Sequence, residues 1–460
     1  MAKAASKTFI NDFTQGPVTR TLLTFAFPLF LSNLLQAVYN VVDMIVVGQV
    51  VGEAGLSGLS IGGDVSSFLM FLSMGFSTAS QIIISQYIGA GLKEKLSRFI
   101  GTMASFLFLC AVGMSVICLV LRKEILTLLN TPAEAWDQAL AYSTTCIFGL
   151  VFIYGYNIVS AILRGMGDSK RPFVFIAIAA VLNLILDLLF VAVFRWEAFG
   201  AALATVIAQA VSFLSALIYL YKKREKFGFD FTASNFRIDR HELTVLIKLG
   251  IPFAIRSAAI HLSKLFVNSW INSYGVTISA VTGVAYKVDM FANLMGNAIN
   301  TAGSSMVGQN IGASKYDRAS RILGSVFILN TICFSLMIAI IYFFPTPVFG
   351  LFTDDTNVLL VCLEYVPISI INFICSALRN SMNSFTGGCG NYKFNFAVAI
   401  IDGIIARVGL SLLFGLTMGM GYFGFWLGNA VAGVTPFVLG SVYYLSGTWK
   451  KRSRILADAE

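Results

Sequence analysis

Along its length the chain alternates long apolar runs with short polar breaks. An uncharged run of about 18 or more apolar residues reads as a helix long enough to cross a bilayer. Twelve such runs can be placed, centred near residues 32, 68, 109, 148, 182, 210, 260, 294, 330, 370, 405 and 433. Six precede the charged link from Tyr221 to Glu242 and six follow it. The first run begins at Leu22, is too long for the apolar core of a cleavable signal and has no small-residue cleavage site. Targeting is therefore expected from the first helix itself. The pattern predicts an all-α integral membrane protein.

The polar breaks repeat. Gln86 to Arg98 (QYIGAGLKEKLSR) returns 223 positions later at Gln309 to Arg321 (QNIGASKYDRASR). Gly165-Met-Gly167-Asp-Ser-Lys170 returns at the same offset as Gly388-Cys-Gly390-Asn-Tyr-Lys393, and Pro28 and Pro252 lie 224 apart. A period of half the chain is far longer than solenoid repeats and marks a duplicated domain. The expected lobes are residues 1–225, with helices 1 to 6, and residues 226–460, with helices 7 to 12. Because six is even, both halves enter and leave on the same side, so the repeats are parallel, and substrate sites in such proteins lie at the interface between halves. The two Gln-x-Ile-Gly-Ala stretches read as cytoplasmic loops, and the central link as a cytoplasmic tether.

Composition agrees with this architecture. Hydrophobic residues make up 57% and charged residues 12%, against roughly 45–50% and 25% in soluble domains. The net charge of +9 does not point to nucleic acid, because the bases follow the positive-inside rule. With both termini in the cytoplasm, 24 of the 32 bases fall on inner segments, three (Arg122, Lys123, Arg195) fall outside, and five lie within helices. The partners expected are the lipid bilayer and a small-molecule substrate. The setting expected is the inner cell membrane, and the state a monomer. The seven cysteines form no Cys-x-x-Cys pair and read as small core residues.

Ionisable residues inside a bilayer are costly and mark functional positions by default. On the first helix Ser32, Gln36, Asn40 and Asp43 are spaced to share one face. On the fifth, Asn183 and Asp187 are four apart, and Thr205 and Gln209 repeat that spacing on the sixth, while Tyr154 and Asn157 mark the fourth. Asp64 lies on the second helix, and Glu53 is expected at the outer water interface. No Lys or Arg occurs in the apolar parts of these six spans. Asp43 and Asp187 must therefore take up a proton or bind a metal cation, or else hydrogen-bond between helices. Oxygen-only donors suit hard cations such as Na+, with Asp43 and Asp187 as the metal ligands in that case. No cofactor is expected.

The second half carries Arg256, Lys264, Lys287, Arg379 and Arg407 against Asp289, Glu364 and Asp402. Ion pairs between helices are the plain reading of this set, and substrate contact by Lys264 the sharper one. Lys264 shares a face with His261 and Asn268, while Asn293, Asn297, Asn300 and Ser304 form a polar stripe along helix eight. Gln36, Asn40, Asp64 and Gln209 in the first half, with Lys264, Asn293 and Asn297 in the second, are expected to line the substrate cavity. Pro28 removes a hydrogen bond early in the first helix and is the candidate hinge.

These features together resemble the multidrug and toxic compound extrusion (MATE) family. The resemblance rests on twelve spans in two parallel lobes, the Gln-x-Ile-Gly-Ala-Gly stretch after the second span, LRGMGDSKRP at Leu163 to Pro172, and Pro28 with Asp43 on the first helix. It implies antiport, in which drug-like, cationic amphiphilic compounds leave as H+ or Na+ enters. Within the family, Asp43, Asn183, Asp187 and Thr205 match the N-lobe cation site of the DinF-like branch, with Asn157 and Tyr154 as neighbours. The NorM-like branch instead places a glutamate in helix seven and an aspartate in helix ten, where this chain has Ile260 with His261, and Cys375. A lipid-linked oligosaccharide flippase of the same superfamily is the alternative, and the basic residues Arg256, Lys264 and Lys287 favour it. A major facilitator transporter would share the two six-span halves, but its signature spacing does not fit. A membrane enzyme is not expected, since two histidines and no clustered Ser, His and Asp offer no catalytic set.

Overall fold

The computed structural model describes residues 11–224, 231–450 and 455. Lys3, Lys7 and Lys451 to Arg454, on which the expected cytoplasmic termini partly rest, lie outside the described residues, as does the side chain of Glu53. Among the described residues there is no strand, and each of the twelve expected centres falls within a long helix. These are α1 (Val18–Gly52), α2 (Ser57–Ala90), α3 (Lys93–Val120), α4 (Ala133–Gly165), α5 (Lys170–Val193), α6 (Glu197–Lys222), α7 (Arg240–Asn272), α8 (Val276–Gly312), α9 (Tyr316–Phe343), α10 (Thr356–Cys389), α11 (Tyr392–Thr417) and α12 (Gly421–Leu445). Eleven are long and apolar enough to cross a membrane. The other, α8, has 37 residues, ample length at 1.5 Å per residue, but Lys287, Asp289 and its run of asparagines dilute its apolar character.

The sequence repeat reappears as backbone geometry. Gly167 (φ +85°) and Gly390 (φ +68°) both take the left-handed conformation in the turns before α5 and α11, where a residue without Cβ escapes the steric cost. Gly91 (φ +73°) and Ser314 (φ +57°) also correspond, so the second copy holds a serine in the conformation that the first assigns to glycine. Before α5, the Asp168 Oδ1 accepts the backbone N–H groups of Lys170 at 3.2 Å and Arg171 at 3.3 Å, and its carboxylate pairs with the Arg171 guanidinium at 3.1 Å. Burial pushes the Asp168 carboxyl up, and the Arg171 charge opposes that rise.

One expectation changes. Gln86 to Ala90 and Gln309 to Gly312 are not loops but the closing turns of α2 and α8. Gln86, Tyr87, Gln309 and Asn310 are fully buried there. Two of these polar side chains are held by an incoming chain segment: Gln309 Oε1 accepts the Phe13 N–H at 2.9 Å, and Asn310 Nδ2 donates to the Phe13 carbonyl at 3.1 Å. A buried polar side chain that satisfies irregular backbone has a structural use that loop-like composition does not reveal.

The helices form two compact units. The first is built mainly from Leu31–Ile88 and Leu92–Ile247, the second from Phe13–Phe30, Gly89–Gly91 and the chain from Lys248 onward. Phe13–Phe30 of the first half joins the second unit, and the second half's chain up to Ile247 joins the first. In the second unit Leu22, Phe25, Ala26 and Leu29 of α1 join a core with Ala302 and Met306 of α8 and Ile322 of α9. In the first unit Ser105 donates to the Phe236 carbonyl at 2.7 Å, the Asp239 N–H donates to Thr102 at 3.0 Å, and the Tyr87 hydroxyl donates to Glu242 at 2.8 Å. Pro28 lies just before the point where α1 changes unit, and Pro252 just after the point where α7 does. The core of the first unit centres on α4, where Ile147, Leu150 and Tyr154 pack with Val65, Leu69 and Ala111.

Candidate functional site

In the first unit, α1, α5 and α6 bring together what the spacing grouped on separate helices. The carboxyls of Asp43 and Asp187 face each other at hydrogen-bonding range, 7% and 1% exposed. Asp43 Oδ1 and both oxygens of Asp187 lack a hydrogen-bond donor among the described residues, and neither acid has an ion pair there. Two negative charges at this range repel strongly in a low-dielectric interior. Uptake of a proton or of a positive charge relieves that repulsion. One turn before Asp187, Asn183 Nδ2 donates to Thr205 Oγ1 at 3.4 Å. Directly after Asp187 the backbone widens into a π-helical turn, Leu188–Val193.

A cavity of about 20 Å³ lies beside these residues, walled by Gln36, Tyr39, Tyr156, Asn183, Thr205 and Gln209 among others. That volume holds a single water molecule. It suits a small cation or its water, and is far too small for a drug-sized molecule.

Not every expected residue takes part. Gln36, Asn183, Thr205 and Gln209 line the cavity, whereas Asn40 and Asp64 are exposed. Tyr154 does not neighbour the acid pair: it is fully buried in the α4 core and its hydroxyl donates to the Leu69 carbonyl at 2.9 Å. Asn157 likewise turns to α2, donating to Ser73 Oγ at 3.1 Å. The tyrosines at the site are Tyr39, which lines the cavity with Gln209, and Tyr156, which donates to the Pro172 carbonyl at 3.1 Å. Tyr39 was legible in principle, since it stands three residues after Gln36 and four before Asp43 on the same helical face.

The second unit has a different interior. Asp402 is fully buried, with Arg407 Nη2 at 3.4 Å from Oδ1 and Arg256 Nη2 at 3.7 Å from Oδ2. Residues five apart point to different sides of an α-helix. Here the π-helical turn Ile401–Ala406 makes Asp402 and Arg407 neighbours, because a π turn repeats nearer five residues. Arg407 Nη1 also donates to Asn429 at 3.0 Å. Arg379 Nη2 donates to Asn293 at 3.3 Å and Ser376 at 3.0 Å. The Lys264 ammonium lies 5.0 Å from the centre of the Tyr286 ring, whose hydroxyl donates to Asn268 at 2.8 Å. Lys287, Asn297 and Glu364 are exposed. Ion pairing between helices thus holds for Arg256 with Asp402, whereas Arg407 pairs with Asp402 inside α11, and Lys264 and Arg379 are held by polar and aromatic neighbours.

Comparison with known proteins agrees with this duplicated plan. The sequence model of the family described as MatE matches the chain twice, over residues 28–189 and 252–413. The chain belongs to the MatE family. Members of this family are multi-pass membrane transporters, so the chain is a transporter and not an enzyme. It is 28% identical over 440 residues to the probable multidrug resistance protein YoeA of Bacillus subtilis, covering 95% of each chain. It is 22% identical over 413 residues to the multidrug export protein MepA of Staphylococcus aureus, covering 88% of this chain and 90% of MepA. Among solved structures, a multidrug resistance MATE transporter of the MOP superfamily in an outward-facing conformation superposes with a TM-score of 0.88 at 20% identity, covering all of both chains. That likeness establishes the MATE fold of twelve helices in two lobes.

Proposed function

We propose that this MATE transporter is a secondary active antiporter that exports drug-like, cationic amphiphilic compounds in exchange for H+ or Na+ entering the cell. The observation that carries the coupling reading is the Asp43–Asp187 pair, two buried acids that face each other with no ion-paired base among the described residues. The names of relatives such as YoeA and MepA support the export of drug-like compounds. The transporter works in the cell membrane, as a monomer with both termini in the cytoplasm.

The coupling ion binds between Asp43 and Asp187. A proton needs only the two carboxyls. Sodium, as transported ion, would take further oxygens from Asn183 and Thr205, and this all-oxygen set suits a hard cation. Either ion removes the repulsion between α1 and α5 and changes which packing of α1 is favoured. Pro28 has removed one helical hydrogen bond just before α1 passes from one unit to the other, so a bend costs least there. A ligand shifts such an equilibrium only by its differential affinity for the two states, and the acid pair supplies that difference. Asn157 and Tyr154 contribute by fixing α4 on α2.

Efflux of a fluorescent cationic dye from proteoliposomes, with proton and sodium gradients imposed one at a time, tests the proposal. Asp43→Asn is expected to abolish gradient-driven efflux while the purified protein keeps its helical spectrum. Gradient-driven efflux at the wild-type rate in that variant would overturn the coupling scheme.

A further inference from the structure

The interior of the second unit carries more positive charge than its acids neutralise. Arg256, Lys264, Arg379 and Arg407 are half-buried or buried within α7, α10 and α11, and the only half-buried or buried acids described in the mid-portions of the helices of this unit are Asp289 and Asp402. Asp402 serves two guanidinium groups at once. Asp289 has one buried oxygen without a hydrogen-bond partner among the described residues. The bases converge through shared neighbours: Arg256 and Arg407 meet at Asp402, while Lys264 and Arg379 both reach α8, at Tyr286 and at Asn293. Toward the start of α7, Lys248 lies over the Tyr392 ring. Arg407 is 2% exposed, yet its Nε has no acceptor.

An excess of two positive charges in a region this dry is costly unless something compensates it. Guanidinium groups present planar forks of donors that fit the oxygens of a carboxylate or phosphate. Arg256 remains 13% exposed, and Lys264 and Arg379 are likewise only half-buried, so an anion can reach the cluster.

We propose that the Arg256, Lys264, Arg379 and Arg407 cluster binds an oxyanion, the carboxylate or phosphate of a substrate or of a lipid headgroup. The site is distinct from the acid pair of the first unit. It extends the range of transported compounds from cations to amphiphiles carrying an anionic group, zwitterions included. The inference does not rest on the coupling scheme, because binding is measured without a gradient.

The test is thermal unfolding of the full-length purified protein, followed by tryptophan fluorescence at constant ionic strength. Gluconate is exchanged for inorganic phosphate or for chloride, and in separate nanodiscs phosphatidylcholine is exchanged for phosphatidylglycerol. A saturable rise in Tm with phosphate is expected. The apparent Kd is expected to weaken about tenfold, ~1.4 kcal/mol, in Lys264→Gln and in Arg379→Gln, neither of which touches the Asp402 pairs. Lys287→Gln, at an exposed position on α8, is expected to leave the titration unchanged. If Arg379→Gln fails to fold, Arg379→Lys keeps the charge, loses the fork and is expected to weaken binding several-fold. Stabilisation by phosphatidylglycerol with none from phosphate would support the site with a lipid headgroup as its ligand. No saturable shift with either probe, equal shifts from chloride, or identical titrations in all variants would each overturn it.

Discussion

The two units are copies of one plan that have exchanged their chemistry. Carried along by the repeat offsets of 223 and 224, Asp43 and Asp187 correspond to Val267 and Leu410, so the second unit has hydrocarbon where the first has its acid pair. In the other direction Arg256, Arg379 and Arg407 correspond to Ser32, Tyr156 and Leu184, and Asp402 corresponds to Ala179. Tyr156 and Ala179 wall the small cavity of the first unit. At the equivalent positions the second unit places a guanidinium and a buried carboxylate. A gap beside two unpaired acids can change its charge state with one ion. A network of paired bases around Asp402 is costly to disturb. The proposed ion coupling therefore falls to the first unit, and the second keeps its charges in contacts around Asp402.

The strongest way to break this comparison is to give the first unit the residues of the second. Asp43→Val with Asp187→Leu is expected to abolish gradient-driven dye efflux in proteoliposomes. It is also expected to raise Tm, because replacing buried charge by packed hydrocarbon is neutral or stabilising by about 1–4 kcal/mol. A fall in Tm would mean that the acids hold the fold together. Next in size is the loss of a base from the second unit. Arg407→Leu leaves Asp402, fully buried, with Arg256 alone at 3.7 Å, and is expected to destabilise the protein by about 3–5 kcal/mol, read as an early transition in thermal unfolding. Tyr154→Phe removes one hydrogen bond to the Leu69 carbonyl and is expected to cost about 1 kcal/mol with ion dependence of efflux unchanged. An altered ion dependence would return Tyr154 to the coupling site. The smallest effect sharpens the symmetry itself. Ser314→Gly gives the second copy the residue of the first at a left-handed position and is expected to stabilise by about 0.5 kcal/mol, the relief of strain being partly offset by backbone entropy.

Much of this was legible in the chain. Apolar run length predicted all twelve helices, because a bilayer demands about 20 apolar residues wherever a helix crosses it. The offset of 223 exposed the duplication, and acids without a base in the first six spans marked Asp43 and Asp187. Spacing along one helix, however, says which residues share a face and not what the face meets. Tyr154, which the family resemblance places near the acids, fills the α4 core, while Tyr39 and Tyr156 stand at the cavity. The Gln-x-Ile-Gly-Ala stretches had the composition of loops and proved to be buried helix ends, because the acceptor and donor that satisfy Phe13 come from residues almost 300 positions away.

The sequence by itself determined the number of spans, the repeat and the asymmetry of charge, since each follows from composition and spacing that need no partner. Only the tertiary structure decided which charges meet. The approach of α5 to α1 brings two acids face to face, and a π turn in α11 makes neighbours of Asp402 and Arg407. The exchange of leading segments places Pro28 and Pro252 where α1 and α7 pass between units. All three depend on the packing of helices distant in sequence and on departures from ideal helix geometry, which carry no periodic signature in the chain.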